Sequence, residues 1–238
     1  MTAPRELGFL LAEPEKRLLT ALAEHVPRTI RSNHLTALGT LAALLAGTAY
    51  ALSTFHYAWL WVASLMLAVN WVGDSLDGTL ARVRRTQRPK YGYYLDHIVD
   101  AFSTVVIGIG IGCSPYVDMG IALGLVVAYL ALSINVYLES TVFGVFRLSY
   151  GRIGPTEVRI ILVVLGAAVA LYEAGAGTPA AAITQVANWG MAAVLGAMAL
   201  VLVARVAHNL ERLAKLEPQR FQWWEQQRVD PPGGATLG

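Results

Sequence analysis

Six long apolar runs constrain the fold of this chain more than any other feature of its sequence. Each run is close to the ~20 residues that an α-helix needs to cross a bilayer. Charged residues make up only 14% of the chain, whereas soluble domains carry about 25%. The sequence therefore predicts an all-α integral membrane protein, a bundle of six transmembrane helices. The predicted spans are 35–53, 57–76, 95–113, 118–143, 156–173 and 183–206.

The basic residues predict how this bundle is oriented. All 18 lysines and arginines fall before the first span, near the second-to-third or fourth-to-fifth connection, or near and after the end of the sixth span. Cytoplasmic connections are enriched in Lys and Arg, so we expect both termini in the cytoplasm (N-in/C-in). Leu18, Leu19 and Leu22 recur at helical spacing within residues 13–25, which predicts an N-terminal amphipathic surface helix.

These patterns divide the chain into three segments. Residues 1–34 form an N-terminal amphipathic cytoplasmic segment, and residues 35–206 form the six-span domain. In the C-terminal cytoplasmic segment, 207–238, spaced leucines with Trp223 and Trp224 predict a surface helix. The Pro/Gly-rich tail after it is typical of a disordered segment.

Four carboxylates at the ends of the second and third spans point to chemistry. Asp74 and Asp77 are three residues apart, Asp96 and Asp100 are four apart, and both spacings place a pair on one helix face. Two antiparallel helices bring the pairs together. A carboxylate within a span costs roughly 2.5–3.5 kcal/mol, so four together require a cation. Oxygen ligands favour Mg²⁺, Mn²⁺ or Ca²⁺ over zinc; a salt-bridged helix end is the alternative.

Glycines and arginines surround these carboxylates. Gly78 and Gly92 each lie one turn from an aspartate, where a missing side chain lets a bulky ligand approach the backbone. Arg82 is one turn beyond Gly78 and can meet a phosphate. Together with a metal, this pattern favours a pyrophosphate-bearing substrate. One carboxylate would accept the proton of an alcohol that attacks this substrate. The basic loop at 84–90 favours lipid headgroups or is ordinary cytoplasmic charge.

Eight residues in the 27-residue stretch from Asp74 to Asp100 resemble the signature of the CDP-alcohol phosphatidyltransferase family. They are Asp74, Asp77, Gly78, Ala81, Arg82, Gly92, Asp96 and Asp100. The resemblance implies an enzyme of phospholipid biosynthesis, which transfers the phosphoryl-alcohol part of a CDP-linked donor to an acceptor hydroxyl and releases CMP. Nine residues separate Arg82 from Gly92, one more than in the commonest family form, and this difference concerns loop contacts.

The resemblance also implies roles for individual residues. Four aspartates would bind Mg²⁺ or Mn²⁺, two ions in all, and Asp100 would also be the general base. Gly78, Arg82 and Gly92 would contact the CDP donor. Asn33 and Thr36 lie in a stretch similar to the family's Pro-Asn-x-Leu-Thr, with Ser32 in place of Pro, and would contact the donor too. An N-cap of the first span by Ser32 or Asn33 is the alternative.

The donor is expected to be CDP-diacylglycerol, because short six-span members of the family are typical of bacterial inner membranes. A CDP-choline or CDP-ethanolamine donor with diacylglycerol as acceptor is the alternative, since His97 directly after Asp96 is similar to the aminoalcohol branch. Candidate acceptor-binding residues are His97, Glu139, Arg147, Arg152 and Glu157. The stretch that holds these arginines also carries Arg159. Cytoplasmic charge explains the arginines equally well, and hydrogen bonding explains His97 and Glu139.

Two other classes of protein compete with this enzyme. An ion-coupled transporter would use the carboxylates as an ion path, but their position at one face argues against that class. A catalytically inactive partner protein would not need the complete set of aspartates. Family members often form homodimers, and Gly108, Gly110 and Gly112 permit close helix packing between chains or within one. We expect no nucleic-acid partner.

Overall fold

The computed structural model describes residues 11–143, 155–176 and 181–217, and these residues form α-helices and connections without a strand. Six of the helices, α2 to α7, are long and apolar enough to cross a membrane. The predicted all-α, six-span membrane architecture is therefore confirmed for the part of the chain that the structure describes. The helices are α1 (Ala12–His25), α2 (Ser32–Leu52), α3 (Trp59–Val83), α4 (Pro89–Gly112), α5 (Met119–Phe143), α6 (Pro155–Ala176) and α7 (Ala181–Leu216).

Several helices extend beyond the apolar runs that predicted them. The second span was expected to end at residue 76, but α3 continues to Val83. The third was expected to begin at residue 95, but α4 begins at Pro89, since proline is favoured in the first turn of a helix. All four aspartates consequently lie on regular helix. The chain has two compact units, Met1–Leu202 and Val203–Gly238, and α7 continues past residue 206 to Leu216.

The turn after α3 is a helix-terminating motif. The Thr86 N–H donates to the Ala81 carbonyl at 3.0 Å, and the Arg85 N–H donates to the Arg82 carbonyl at 3.1 Å. This pair of bonds is the Schellman pattern, which requires a left-handed residue that is usually glycine. Here Arg85 adopts it, with φ of 56°. A sequence search for Gly or Asn at this position therefore does not find the end of α3.

Helix α2 packs closely against both α3 and α4 through glycines. A Cβ atom added to Gly73 would lie 2.6 Å from the Gly39 Cα, and one added to Gly47 would lie 2.5 Å from the Val106 carbonyl oxygen. Gly110 of α4 faces Gly47. Side chains at these positions would force the helices apart, so the glycines set the distances of α3 and α4 from α2.

The glycine run of α4 is used within the chain. Gly110 meets α2, while Gly108 and Gly112 meet α5 through Val126 and Met119. Of the two expected uses of this run, between chains or within one, the structure shows packing within the chain. The homodimer prediction therefore depends on the family resemblance alone.

Helix α1 lies against the ends of α2 and α3 near the carboxylates. Its Leu19 and Ala23 are buried in an apolar cluster, whereas Leu18 is 50% exposed. The other buried members of the cluster are Leu35, Leu76 and Leu80. The Arg84 guanidinium donates to three carbonyls of the α1–α2 connection, at Val26, Pro27 and Ile30. Arg84 thus fastens that connection to the end of α3.

We expect Gly73→Ala to lower the thermal unfolding midpoint of the detergent-solubilised protein by several degrees. The added methyl group meets backbone atoms of α2 that cannot rotate away, and such overpacking costs about 1–3 kcal/mol. Gly196→Ala is the matched control, because a Cβ there meets nothing within 4 Å. Equal midpoints for the two variants would contradict the close α2–α3 contact.

Candidate active site

Three carboxylates meet where α3 ends and α4 begins. Ligand oxygens of Asp74, Asp96 and Asp100 all lie within 4.8 Å of one another. Asp96 and Asp100 are four residues apart on one face of α4, and Asp74 approaches from α3. All three are partly buried, so their mutual repulsion is poorly screened. The all-oxygen donor set, with its excess negative charge, fits a hard divalent cation such as Mg²⁺ or Mn²⁺.

Asp77 lies outside this group of three. Its carboxylate accepts a hydrogen bond from the Thr36 hydroxyl of α2, and Thr36 is only 9% exposed. Thr36, which we predicted to contact the donor, therefore also holds an aspartate of the signature. This link depends on two residues 41 positions apart in sequence, so spacing alone gave no sign of it.

A guanidinium also reaches the acidic cluster. The Nη2 atom of Arg159 in α6 donates to Oδ2 of Asp74 at 2.8 Å, and these side chains are only 15% and 21% exposed. The sequence analysis noted Arg159 only as part of the stretch that holds Arg147 and Arg152, and it did not predict the pairing with Asp74. Arginine is rare within an apolar span, where it usually faces a cavity or pairs with a carboxylate.

The predicted donor-contacting residues lie around the cluster with open space beside them. A Cβ on Gly78 would meet only Nη1 of Arg82, at 3.7 Å, and one on Gly92 would meet nothing within 4 Å. Arg82 is exposed and donates to the Thr79 hydroxyl at 2.8 Å. The absence of side chains therefore leaves both stretches of backbone accessible, as a bulky ligand requires.

The first turn of α2 corrects one prediction. Arg31 is the N-cap of this helix, so the interpretation of Ser32 or Asn33 as the N-cap is wrong. The Arg31 N–H donates to Nδ1 of His34 at 3.3 Å, and this contact replaces a hydroxyl or amide cap. Asn33 is exposed and donates to the Tyr91 hydroxyl at 3.3 Å, which links the starts of α2 and α4.

Two of the candidate acceptor residues accept hydrogen bonds in the described structure. Oε1 of Glu157 accepts the Leu11 N–H at 3.1 Å. Oε1 of Glu139 accepts from Nδ2 of Asn135 at 2.6 Å, within α5. The predictions for Arg147 and Arg152 concern positions outside the described residues.

His97 lies in an aromatic group between α4 and α5. Its ring centroid is 4.1 Å from that of Tyr93 and 4.7 Å from that of Tyr137. Its Nδ1 atom is 3.6 Å from Oδ2 of Asp96. His97 therefore adjoins the acidic cluster, and its ring packs on two tyrosines.

An apolar cavity of about 380 Å³ borders the site between α1, α3 and α6. Three polar residues, Glu15, Thr156 and Arg159, stand among its otherwise mostly apolar lining. Arg159 connects this cavity with the acidic cluster, since its guanidinium also contacts Asp74. The sequence analysis missed Glu15, because an acidic residue on a surface helix usually faces water. The remaining lining residues are Leu11, Pro14, Leu18, Leu67, Ala68, Trp71, Ile160 and Val163.

We expect Thr36→Val to raise the Mg²⁺ concentration that gives half-maximal thermal stabilisation by about fivefold. Valine keeps the volume of threonine but removes the hydrogen bond to Asp77, a loss of roughly 1 kcal/mol. The control is Thr48→Val, because the Thr48 hydroxyl bonds only a carbonyl of its own helix. If Thr36→Val and Thr48→Val require the same Mg²⁺ concentration, Thr36 does not position Asp77.

Sequence comparison assigns the chain to a known family. No curated protein matches the chain. Residues 31–206 match the CDP-alcohol phosphatidyltransferase family, and this region contains all of the aspartates of the cluster. Members of this family are transferases of substituted phosphate groups in phospholipid biosynthesis, and they generally depend on a divalent metal. The chain therefore belongs to the CDP-alcohol phosphatidyltransferase family.

Proposed function

We propose that this protein transfers a phosphatidyl group from CDP-diacylglycerol to an acceptor hydroxyl and releases CMP. Family membership supports a CDP-alcohol donor and an alcohol acceptor, without naming either molecule. The observation that carries the proposal for this chain is the convergence of Asp74, Asp96 and Asp100 within 4.8 Å. Such a group of partly buried carboxylates is costly unless a cation offsets its charge.

In this proposal, Asp74, Asp96 and Asp100 hold Mg²⁺ or Mn²⁺, and Asp77 completes a set for two ions. A bound divalent metal would offset the charge of the donor pyrophosphate and stabilise CMP as the leaving group. Thr36 supports this arrangement because its hydroxyl holds Asp77. The open backbone at Gly78 and Gly92 leaves room for the donor, and Arg82 and Asn33 are exposed beside it.

Asp100 is the proposed general base. The acceptor hydroxyl oxygen forms a bond to the phosphorus that carries diacylglycerol, while the bond from that phosphorus to the oxygen of CMP breaks. The hydroxyl proton passes to the Asp100 carboxylate, which must lie within hydrogen-bonding reach of the acceptor. The position of Asp100 among the clustered oxygens supports this role, since these aspartates would hold the metal that binds the donor phosphates.

The apolar cavity supports a lipid substrate. Its mostly apolar walls suit an acyl chain, and Arg159 lies between these walls and the acidic cluster. Acyl chains are present both in CDP-diacylglycerol and in diacylglycerol, so the cavity suits either a lipid donor or a lipid acceptor. The runner-up reaction, from CDP-choline or CDP-ethanolamine to diacylglycerol, draws its support from the position of His97 beside Asp96.

We further propose that the acidic cluster faces the cytoplasm in a bacterial inner membrane. The support is the location of all 18 basic residues near the same ends of the spans. The cluster lies at those ends too, since α3 and α4 meet there. The segment boundaries at 34/35 and 206/207 remain our proposal for the extent of the catalytic domain.

The deciding experiment is CMP release by the purified protein in detergent with Mg²⁺. CDP-diacylglycerol and CDP-choline are each paired with inositol phosphate, glycerol phosphate, serine and diacylglycerol. We expect release only from CDP-diacylglycerol with a water-soluble alcohol. Release only from CDP-choline with diacylglycerol would establish the runner-up. An ion-coupled transporter would release no CMP from any of these pairs, because transport does not cleave the donor.

We expect Asp100→Asn to reduce CMP release by at least about 10³-fold, while donor binding stays measurable. The amide cannot accept the hydroxyl proton, although it retains the shape of the side chain and one oxygen. Turnover and equilibrium binding of the donor are measured on the same preparation. Asp118→Asn is the control, because Asp118 lies outside the acidic cluster, in the α4–α5 connection. Full turnover by Asp100→Asn would eliminate Asp100 as the base.

A further inference from the structure

A single carboxylate of α1 binds both α3 and α6. Oε1 of Glu15 accepts hydrogen bonds from Nε1 of Trp71 at 2.9 Å and from the Ser75 hydroxyl at 3.1 Å. The Thr156 hydroxyl of α6 lies 3.0 Å from Oε1 and 3.2 Å from Oε2. Glu15 is partly buried, whereas Glu13 and Glu24 of the same helix are exposed. A carboxylate with three donors is therefore placed between two helices of the bundle.

These donors lie next to the ion pair of the acidic cluster. Ser75 directly follows Asp74 on α3, and Thr156 precedes Arg159 by three residues on α6. Residues three apart share a helix face, so the hydroxyl that binds Glu15 and the guanidinium that binds Asp74 lie on one side of α6. Glu15 thus fixes α3 and α6 at the level where Arg159 donates to Asp74.

Contacts other than those of Glu15 also attach α1 to the bundle. Leu19 and Ala23 bury this helix against α2 and α3, and the Leu11 N–H donates to Glu157 at 3.1 Å. Helix α1 thus also contacts α2, α3 and α6 through groups other than the Glu15 carboxylate. The bonds of Glu15 to Ser75 and Thr156 are instead next to Asp74 of the acidic cluster and to Arg159.

We propose that Glu15 is a positioning residue, which sets the approach of Arg159 to Asp74 through Thr156 and Ser75. This inference rests on the proposed function, since it concerns the same carboxylates. A divalent metal held by Asp74 would be repelled by Arg159, which donates to the same carboxylate. The position of Arg159 therefore determines how tightly the cluster holds the metal and how accurately the reacting groups align.

Thr156→Val tests this inference without changing any charge. Valine has nearly the volume of threonine but cannot donate to Glu15, so Arg159 loses its fixed distance from Asp74. We expect half-maximal thermal stabilisation at about threefold less Mg²⁺, because the competing cation has moved away. We also expect kcat to fall about tenfold, since a displacement on the order of 1 Å can cost up to ~10²-fold. Ser75→Ala, which removes another donor, should change both quantities in the same directions.

A double variant separates positioning from general loosening. If Glu15 acts through Arg159, Thr156→Val should cause no further Mg²⁺ shift in an Arg159→Gln background. Thr48→Val is again the matched control, with unchanged Mg²⁺ dependence and kcat. A Thr156→Val protein that resembles this control, or a Mg²⁺ shift that persists in the Arg159→Gln background, would overturn the inference. Failure of Mg²⁺ to stabilise the wild type would overturn it too.

The two proposals fail in different ways. A wild-type protein that binds Mg²⁺ but releases no CMP from any donor would refute the proposed function. The Mg²⁺ dependence of Thr156→Val, Ser75→Ala and Thr48→Val would still decide the role of Glu15, because thermal stabilisation requires no turnover.

Discussion

Repulsion among partly buried carboxylates is the constraint that organises this protein. Asp74, Asp96 and Asp100 have oxygens within 4.8 Å of one another, at a depth where water screens charge poorly. Arg159 offsets part of this charge through its bond to Asp74. Neighbouring helices therefore do more than support the site: α2 holds Asp77 through Thr36, and α6 contributes the guanidinium.

Helix α2 makes this concentration of charge sterically possible. Glycine contacts bring α3 close at Gly39 and Gly73, and they bring α4 close at Gly47 and Gly110. Backbone surfaces without side chains are rigid, so the two acidic helices keep a fixed distance from a common neighbour. Local rigidity of this kind is what a site needs when an error of about 1 Å is costly.

The sequence was sufficient for features that depend on local periodicity. Span length gave the six membrane helices, and the spacings of three and four residues put Asp96 and Asp100 on one face of α4. Contacts between distant segments were beyond its reach: Arg159 meets Asp74 across 85 positions, and Thr156 meets Glu15 across 141. Periodicity carries no information on such pairs, because they depend on how whole helices dock. Helix ends were also missed, since apolar runs mark the lipid-buried part of a helix rather than its hydrogen-bonded length.

The turn after α3 bears on how relatives of this protein are recognised. Its left-handed Arg85 ends α3 after the first half of the signature, and α4 begins at Pro89, before the second half. Any additional residue between Arg82 and Gly92 is thus absorbed by the connection, and the register of both helices is unchanged. A search pattern that fixes this interval at eight residues would discard the present chain. A search pattern that contains both halves of the signature, with a gap of variable length between them, would retain it.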